Sequence, residues 1–153
     1  MKPDTLTCKQ LNRATLARQL LLARDNVSAV EAVERLCGMQ AQEARPPFVG
    51  LWTRVEGFRR EDLHEARHAR EVVRATLMRA TLHLMGARDY AAFRAALAPA
   101  MGQAMKVLGK RAVGLELEKV LPVARALFEE PRTFNEARAL LVERFPGVYD
   151  RAP

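Results

Sequence analysis

Between Val72 and Met85 the apolar residues of this chain stop recurring at helical spacing and begin to alternate. Val73, Ala75 and Leu77 fall on one face with Thr76 and Met78 on the other, and Thr81, His83 and Met85 then alternate with Leu82 and Leu84. A period of two is the pattern of a strand, so the segment reads as two strands joined by a turn near Met78 to Thr81. No glycine or asparagine occupies that turn, which is weak hairpin chemistry. A single short hairpin among segments of helical period leaves few architectures open.

The segments ahead of it read as three short helices. Leu16, Leu20 and Ala23 recur at helical spacing from about Arg13 to Arg24, and Asp25 and Asn26 stop the run. Ser28 with Glu31 forms a capping-box pattern before Val30, Val33 and Leu36, and Gly38 supplies a C-terminal stop. Pro46 and Pro47 suit the first turn of a third helix carrying Phe48, Leu51, Trp52 and Val55. Leu63 to Ala69 adds one helical turn or two. Three helices followed by a hairpin is the order of a winged helix-turn-helix, with the hairpin as the wing.

Beyond the hairpin the chain reads as helix throughout. Asp89 caps a helix with Phe93 and Leu97 that ends at Pro99, and Met101, Met105 and Leu108 follow in register as core positions. Leu117, Val120, Leu121, Ala124, Leu127 and Phe128 form the next apolar face, with Pro122 near its start or kinking it. Thr133 with Glu136 repeats the capping-box pattern before Ala137, Leu140, Leu141 and Phe145. The expected fold is therefore mainly α with a small β-hairpin: a first winged-helix domain in residues 1–98, a connecting helix in 99–114, and an incomplete second winged-helix unit in 115–153. The third helix and wing of that second unit need residues past Pro153, so it is expected to pack imperfectly or to self-associate.

Lysine and arginine total 25 against 18 aspartates and glutamates, a net charge of +7. Such a balance favours polyanionic partners, although arginine and alanine richness alone can produce it. Cys8 and Cys37 are far apart with no histidine pair at metal-ligand spacing, so no metal site, disulfide framework or cofactor is expected, and each thiol reads as an inert small hydrophobe. The run Leu20 to Ala23 is far shorter than the ~20 residues a membrane span requires. A soluble, cytoplasmic protein, on the nucleoid when bound to DNA, is expected.

No G-x-S-x-G, H-E-x-x-H, P-loop or G-x-G-x-x-G motif is present. The chemically distinctive segment is Gly38-Met39-Gln40-Ala41-Gln42, penned between a helix stop and a double proline. If extended, it turns both carboxamides the same way; as a simple solvated turn it does nothing. A carboxamide has one acceptor and two donor hydrogens and does not titrate, so it orients water or a developing charge without acting as a strong base. That suits a reaction whose leaving group departs easily, such as hydrolysis of the N-glycosidic bond of a cationic, N-alkylated purine.

The residues from about Leu11 to Leu97 resemble the first winged helix of the AlkZ/YcaQ type of DNA glycosylase. The resemblance rests on the Gln-apolar-Gln motif, on Leu51-Trp52-Thr53-Arg54-Val55, on Met78-Arg79-Ala80-Thr81-Leu82-His83-Leu84 and on Asp89, while Glu130-Pro131-Arg132-Thr133 is similar to the opening of the family's second winged helix. It implies a monofunctional glycosylase that removes alkylated bases or unhooks crosslinks, with Gln40 and Gln42 as the catalytic pair and double-stranded DNA as partner. Ala80 stands where the family commonly has glycine, which bears on the hairpin turn.

Arg45, Arg74, Arg79, His83, Lys106, Lys110 and Arg111 are the candidate DNA-binding residues. Arg74, Arg79 and His83 serve either as phosphate contacts or as supports for the glutamine loop, and a histidine alternating with apolar residues also reads as a satisfied, partly buried side chain. Lys106, Lys110 and Arg111 read equally as a solvated helix face. The alternative to a glycosylase is a non-catalytic winged-helix DNA-binding or regulatory module, or a remnant without activity.

Overall fold

A computed structural model describes residues 5–107 and 116–146. The chain divides into two compact units, Met1–Gly102 and Gln103–Pro153. Among the described residues no helix is long and apolar enough to cross a membrane.

The first unit holds α1 (Cys8–Arg18), α2 (Ala29–Arg35), β1 (Met39–Gln40), α3 (Pro46–Trp52), α4 (Arg60–His68), β2 (Val72–Thr76), β3 (Leu82–Gly86) and α5 (Ala87–Ala96), and α6 (Ala98–Val107) follows. The strands form one antiparallel sheet in the order β1-β3-β2. Val72 to Thr76 pair with Gly86 to Leu82, and Met39 and Gln40 pair with Leu84 and His83. Helices α2 and α4 pack on the sheet and on each other. Their contact faces supply the buried Ala32, Val33, Leu63 and Ala66, which join Ala41, Leu51 and Leu84 in the core. A mainly helical unit with a small three-stranded antiparallel sheet in this order is consistent with a winged-helix-like fold.

Local chemistry explains the boundaries. The Ser28 hydroxyl accepts the Glu31 N–H and starts α2. The Gly38 N–H donates to Val33 O and the Cys37 N–H to Glu34 O, which is a Schellman termination with Cys37 in the left-handed position at φ 53°. Gly38, at φ 93°, is needed for another reason: a Cβ there would sit 2.8 Å from Met85 Cε and 3.0 Å from Leu84 O. The expected stop is thus shared by two residues, and Gly38 lets β1 approach β3.

Several expectations shift. The first helix begins earlier, because Thr7 and Gln10 form a capping box at Cys8, and it ends at Arg18 with Leu20 left-handed at φ 54°. None of its residues is buried. The two-residue strand β1 occupies what read as a loop. Arg60–His68 is a full helix started by Asp62, whose carboxylate accepts the Arg59 N–H at 2.7 Å. Trp52 is 54% exposed, with the Arg24 guanidinium 4.3 Å above its ring, so it lies outside the buried face of α3, which Pro47 and Leu51 form, and α3 ends before Val55. Both cysteines are exposed rather than packed.

The turn of the hairpin is where expected and solves its poor chemistry by strain. Arg79 and Ala80 take φ 53° and 57°, and the Thr81 N–H bonds Met78 O at 3.1 Å. Two successive positive φ values inside an i to i+3 bond are the type I′ geometry that Asn-Gly adopts without penalty. An alanine in this region costs on the order of 1 kcal/mol. Ala80→Gly is therefore expected to stabilise the first unit by about 1 kcal/mol in urea denaturation; an unchanged or lowered midpoint contradicts the assigned turn.

In the second unit α7 (Leu117–Leu127) and α8 (Phe134–Arg144) pack together, with Val120, Ala137 and Leu141 buried. Pro122 lies inside α7 and removes one backbone donor there. The Glu136 carboxylate accepts the Thr133 N–H at 2.6 Å and its hydroxyl at 2.8 Å. These bonds, the backbone one first, hold the Glu136 carboxyl below its usual value. A lowered folded pKa contributes stability that is present above the unfolded value and lost as pH falls through the folded one. Acid titration followed by NMR should therefore show α8 fraying from Thr133 onward, and Glu136→Gln should flatten that response; a pH-independent N-terminus in the parent contradicts the cap.

Candidate active site

The Gln-Ala-Gln segment is held by its middle residue. Ala41 is fully buried, and its N–H donates to Leu82 O at 2.8 Å, extending the pairing of β1 with β3 by one step. With Ala41 turned into the core, the flanking Gln40 and Gln42 are both exposed. Met39, just before them, packs toward α3, where Gly50 leaves room for it; a Cβ on Gly50 would collide with the Met39 side chain.

The two glutamines are not equivalent. Gln42 Oε1 accepts the Leu82 N–H at 3.2 Å, which ties its carboxamide to β3 and leaves its amide hydrogens to donate. The Gln40 side chain makes no hydrogen bond among the described residues. Its carboxamide is available both to accept and to donate.

Arg74 supports the loop from β2. Its Nε donates to Ala41 O at 2.8 Å and its Nη2 to Gln42 O at 3.1 Å, fixing two successive carbonyls with one planar fork. His83, opposite Gln40 in the register, is buried at 6% exposure. Its Nδ1 lies 3.0 Å from Thr81 O, and since a carbonyl only accepts, Nδ1 carries the proton. Thr81 in turn donates its hydroxyl to Met78 O at 3.1 Å. The structure thus brings Gln40, Gln42, Arg74 and His83 around the β1–β3 pairing.

The other candidates are placed apart. Arg45 is the exposed N-cap of α3 and makes no side-chain cap bond. Arg79 is exposed at the tip of the hairpin. Neither has an ion-pair partner among the described residues. Lys106 lies at the end of α6, its side chain outside the described residues, and Lys110 and Arg111 lie outside them altogether. Arg54, singled out only within a motif, is structural: it donates to Gln19 O and to Gly50 O, both at 2.8 Å. Among the described residues no three His, Cys, Asp or Glu side chains cluster to hold a metal ion.

The model of one protein family, described as DNA glycosylase AlkZ-like, matches residues 33–152. That span includes the glutamine loop, the whole sheet and both helices of the second unit. The chain belongs to the AlkZ-like DNA glycosylase family. No curated protein and no solved structure matches it. Membership in the AlkZ-like family assigns a DNA glycosylase type of function at family level, with DNA repair as its setting and DNA as the partner.

Removing the Arg74 fork should loosen the glutamine loop before it loosens the fold. A hydrogen bond to a charged group is worth about 1.5–3 kcal/mol, so Arg74→Ala is expected to speed amide exchange at Ala41 and Leu82 about tenfold or more, with helix α8 unaffected. Equal exchange in parent and variant shows that the fork does not hold the loop.

Proposed function

We propose that residues 1–98 form a winged-helix domain with β2 and β3 as its wing, that 115–153 begin a second such unit, and that the chain is a monofunctional N-glycosylase acting on alkylated or crosslinked purines in double-stranded DNA. The observation that carries the reading is the buried Ala41, clamped by Leu82 and Arg74, with a carboxamide exposed on either side. A loop with a clamped backbone that presents two non-titrating amides suits a reaction in which the base leaves readily and water must be held against an oxocarbenium-like sugar.

The asymmetry assigns roles. Gln40, with its carbonyl oxygen unengaged, accepts a hydrogen from the attacking water and orients it. Gln42, its oxygen already bonded to β3, donates from its amide to a sugar or phosphate oxygen. Arg74 and His83 are supports of this loop, and the exposed Arg45 and Arg79 contact backbone phosphates.

Gln40→Ala is expected to slow excision of N7-alkylguanine about 100-fold, the ~3 kcal/mol of one oriented contact made in the transition state, with affinity for the duplex nearly unchanged. Gln42→Ala should slow it as well and also weaken the β1–β3 junction. Single-turnover release of the base, read beside fluorescence anisotropy, separates the two effects. If the parent binds duplex DNA but frees no alkylated base, the non-catalytic binding module is the correct reading; a Gln40 variant that cuts as fast as the parent removes Gln40 from the catalytic role.

A further inference from the structure

Helix α4 sorts its charges. Arg60, His64, Arg67 and His68 recur at i, i+4, i+7 and i+8 and form one stripe, which Arg70 extends past the helix end. Asp62 and Glu65 turn another way and line, with Glu56 and Glu71, a cavity of about 370 Å³. The basic stripe borders a different cavity of about 300 Å³. It is lined by His64, Arg67, His68 and Arg70 over Val72 and Val73 of β2, with no carboxylate in its lining among the described residues. None of Arg60, Arg67 and Arg70 has an ion-pair partner among the described residues.

Stability explains only part of this arrangement. Cations in the last turn complement the helix dipole, which accounts for Arg67 and His68. The same effect disfavours Arg60 in the first turn, where it is held instead by the Phe48 ring at 5.8 Å and by His64 Nε2, which accepts its Nε–H at 3.1 Å. Arg70 sits at φ 60° in a Schellman termination, with its N–H on Arg67 O and that of Glu71 on Ala66 O. Glycine is the favoured residue there. Arg70 also borders a second cavity with Glu34, Glu71 and Arg88 but makes no ion pair with either carboxylate, so its guanidinium is left for an anion from outside.

We propose that the cleft between α4 and β2 is a seat for the backbone phosphates of duplex DNA, distinct from the glutamine loop. Arg67, His68 and Arg70 contact the phosphate oxygens, and Arg60 and His64 continue the track along α4. The guanidinium fork matches phosphate geometry, and the surplus of +7 over the chain draws the polyanion in. The seat and the loop flank opposite edges of the sheet, since β2 and β1 lie on either side of β3. The identity of the ligand rests on the proposed glycosylase reading; the cleft itself does not.

The test is binding of the 153-residue chain to an undamaged duplex by fluorescence anisotropy over a salt series. Arg67→Ala and Arg70→Gly are each expected to weaken binding several-fold at low salt and to reduce the slope of log K against log salt by about 1. Arg70→Gly relieves a left-handed backbone, so its melting temperature should hold or rise, and a loss of affinity in that variant is not a loss of fold. Arg125→Ala in α7 removes the same charge from a residue that does not line the cleft and should keep the parent slope. Cleft variants with the parent slope overturn the proposal whether or not the glutamine variants lose excision. A parent that binds single-stranded RNA or a phosphopeptide through the cleft, and no duplex, overturns the assigned ligand. A reduced slope without any excision by the parent keeps the seat and removes the glycosylase.

Discussion

The pairing of β1 with β3 is the contact on which the candidate site depends. It is only two residues long, and the Ala41 N–H adds one further bond to Leu82 O. Such a short edge strand has little stability of its own. It is held because Ala41 is buried, because Gly38 allows the close approach to Met85, and because Arg74 reaches from β2 to the two carbonyls that follow. β3 is consequently bonded on both sides, and its residues 82 and 83 carry contacts to the glutamine segment as well as to β2.

Tight connections around this sheet are made largely without glycine. Leu20, Cys37 and Arg70 each take a left-handed conformation just past a helix, and Arg79 and Ala80 do so in succession at the hairpin tip. Each costs on the order of 1 kcal/mol relative to glycine. The core that offsets them is small, built from alanine, valine and leucine on α2, α4 and the sheet. Strain at Arg70 and Arg79 places basic side chains at the two ends of the hairpin. Strain at Ala80 has no comparable return in the structure.

The elements legible in the sequence were those with a period or a cap. Alternation from Val72 to Met85 marked the hairpin and located its turn, and Ser28 and Thr133 marked the starts of α2 and α8. Strand β1 is too short to show a period. α4 was seen only in part because its buried apolar positions reduce to Leu63 and Ala66 among charges. Trp52 fitted the helical spacing of α3 but lies beside its core face, and spacing cannot resolve a side chain at the margin of a stripe. The glutamine pair was legible as a motif, whereas its support was not. Arg74 binds backbone carbonyls, and a carbonyl leaves no mark on the sequence.

Charge placement also bears on the proposed chemistry. A sugar that becomes cationic as the base departs is opposed by any positive charge close to it, and the opposition scales inversely with distance and local dielectric. The arginines and histidines of the α4 cleft border β2, on the far side of β3 from the glutamine loop, so phosphates can be gripped there without setting cations beside the reacting sugar. Arg74 is the exception, and its Nε–H and one Nη2–H are directed at Ala41 O and Gln42 O, which face it with partial negative charge. In the proposed reaction the groups next to the sugar are then neutral carboxamides. A carboxylate there would attract the cationic sugar more strongly but would itself titrate; a glutamine pair keeps the same dipoles at every pH.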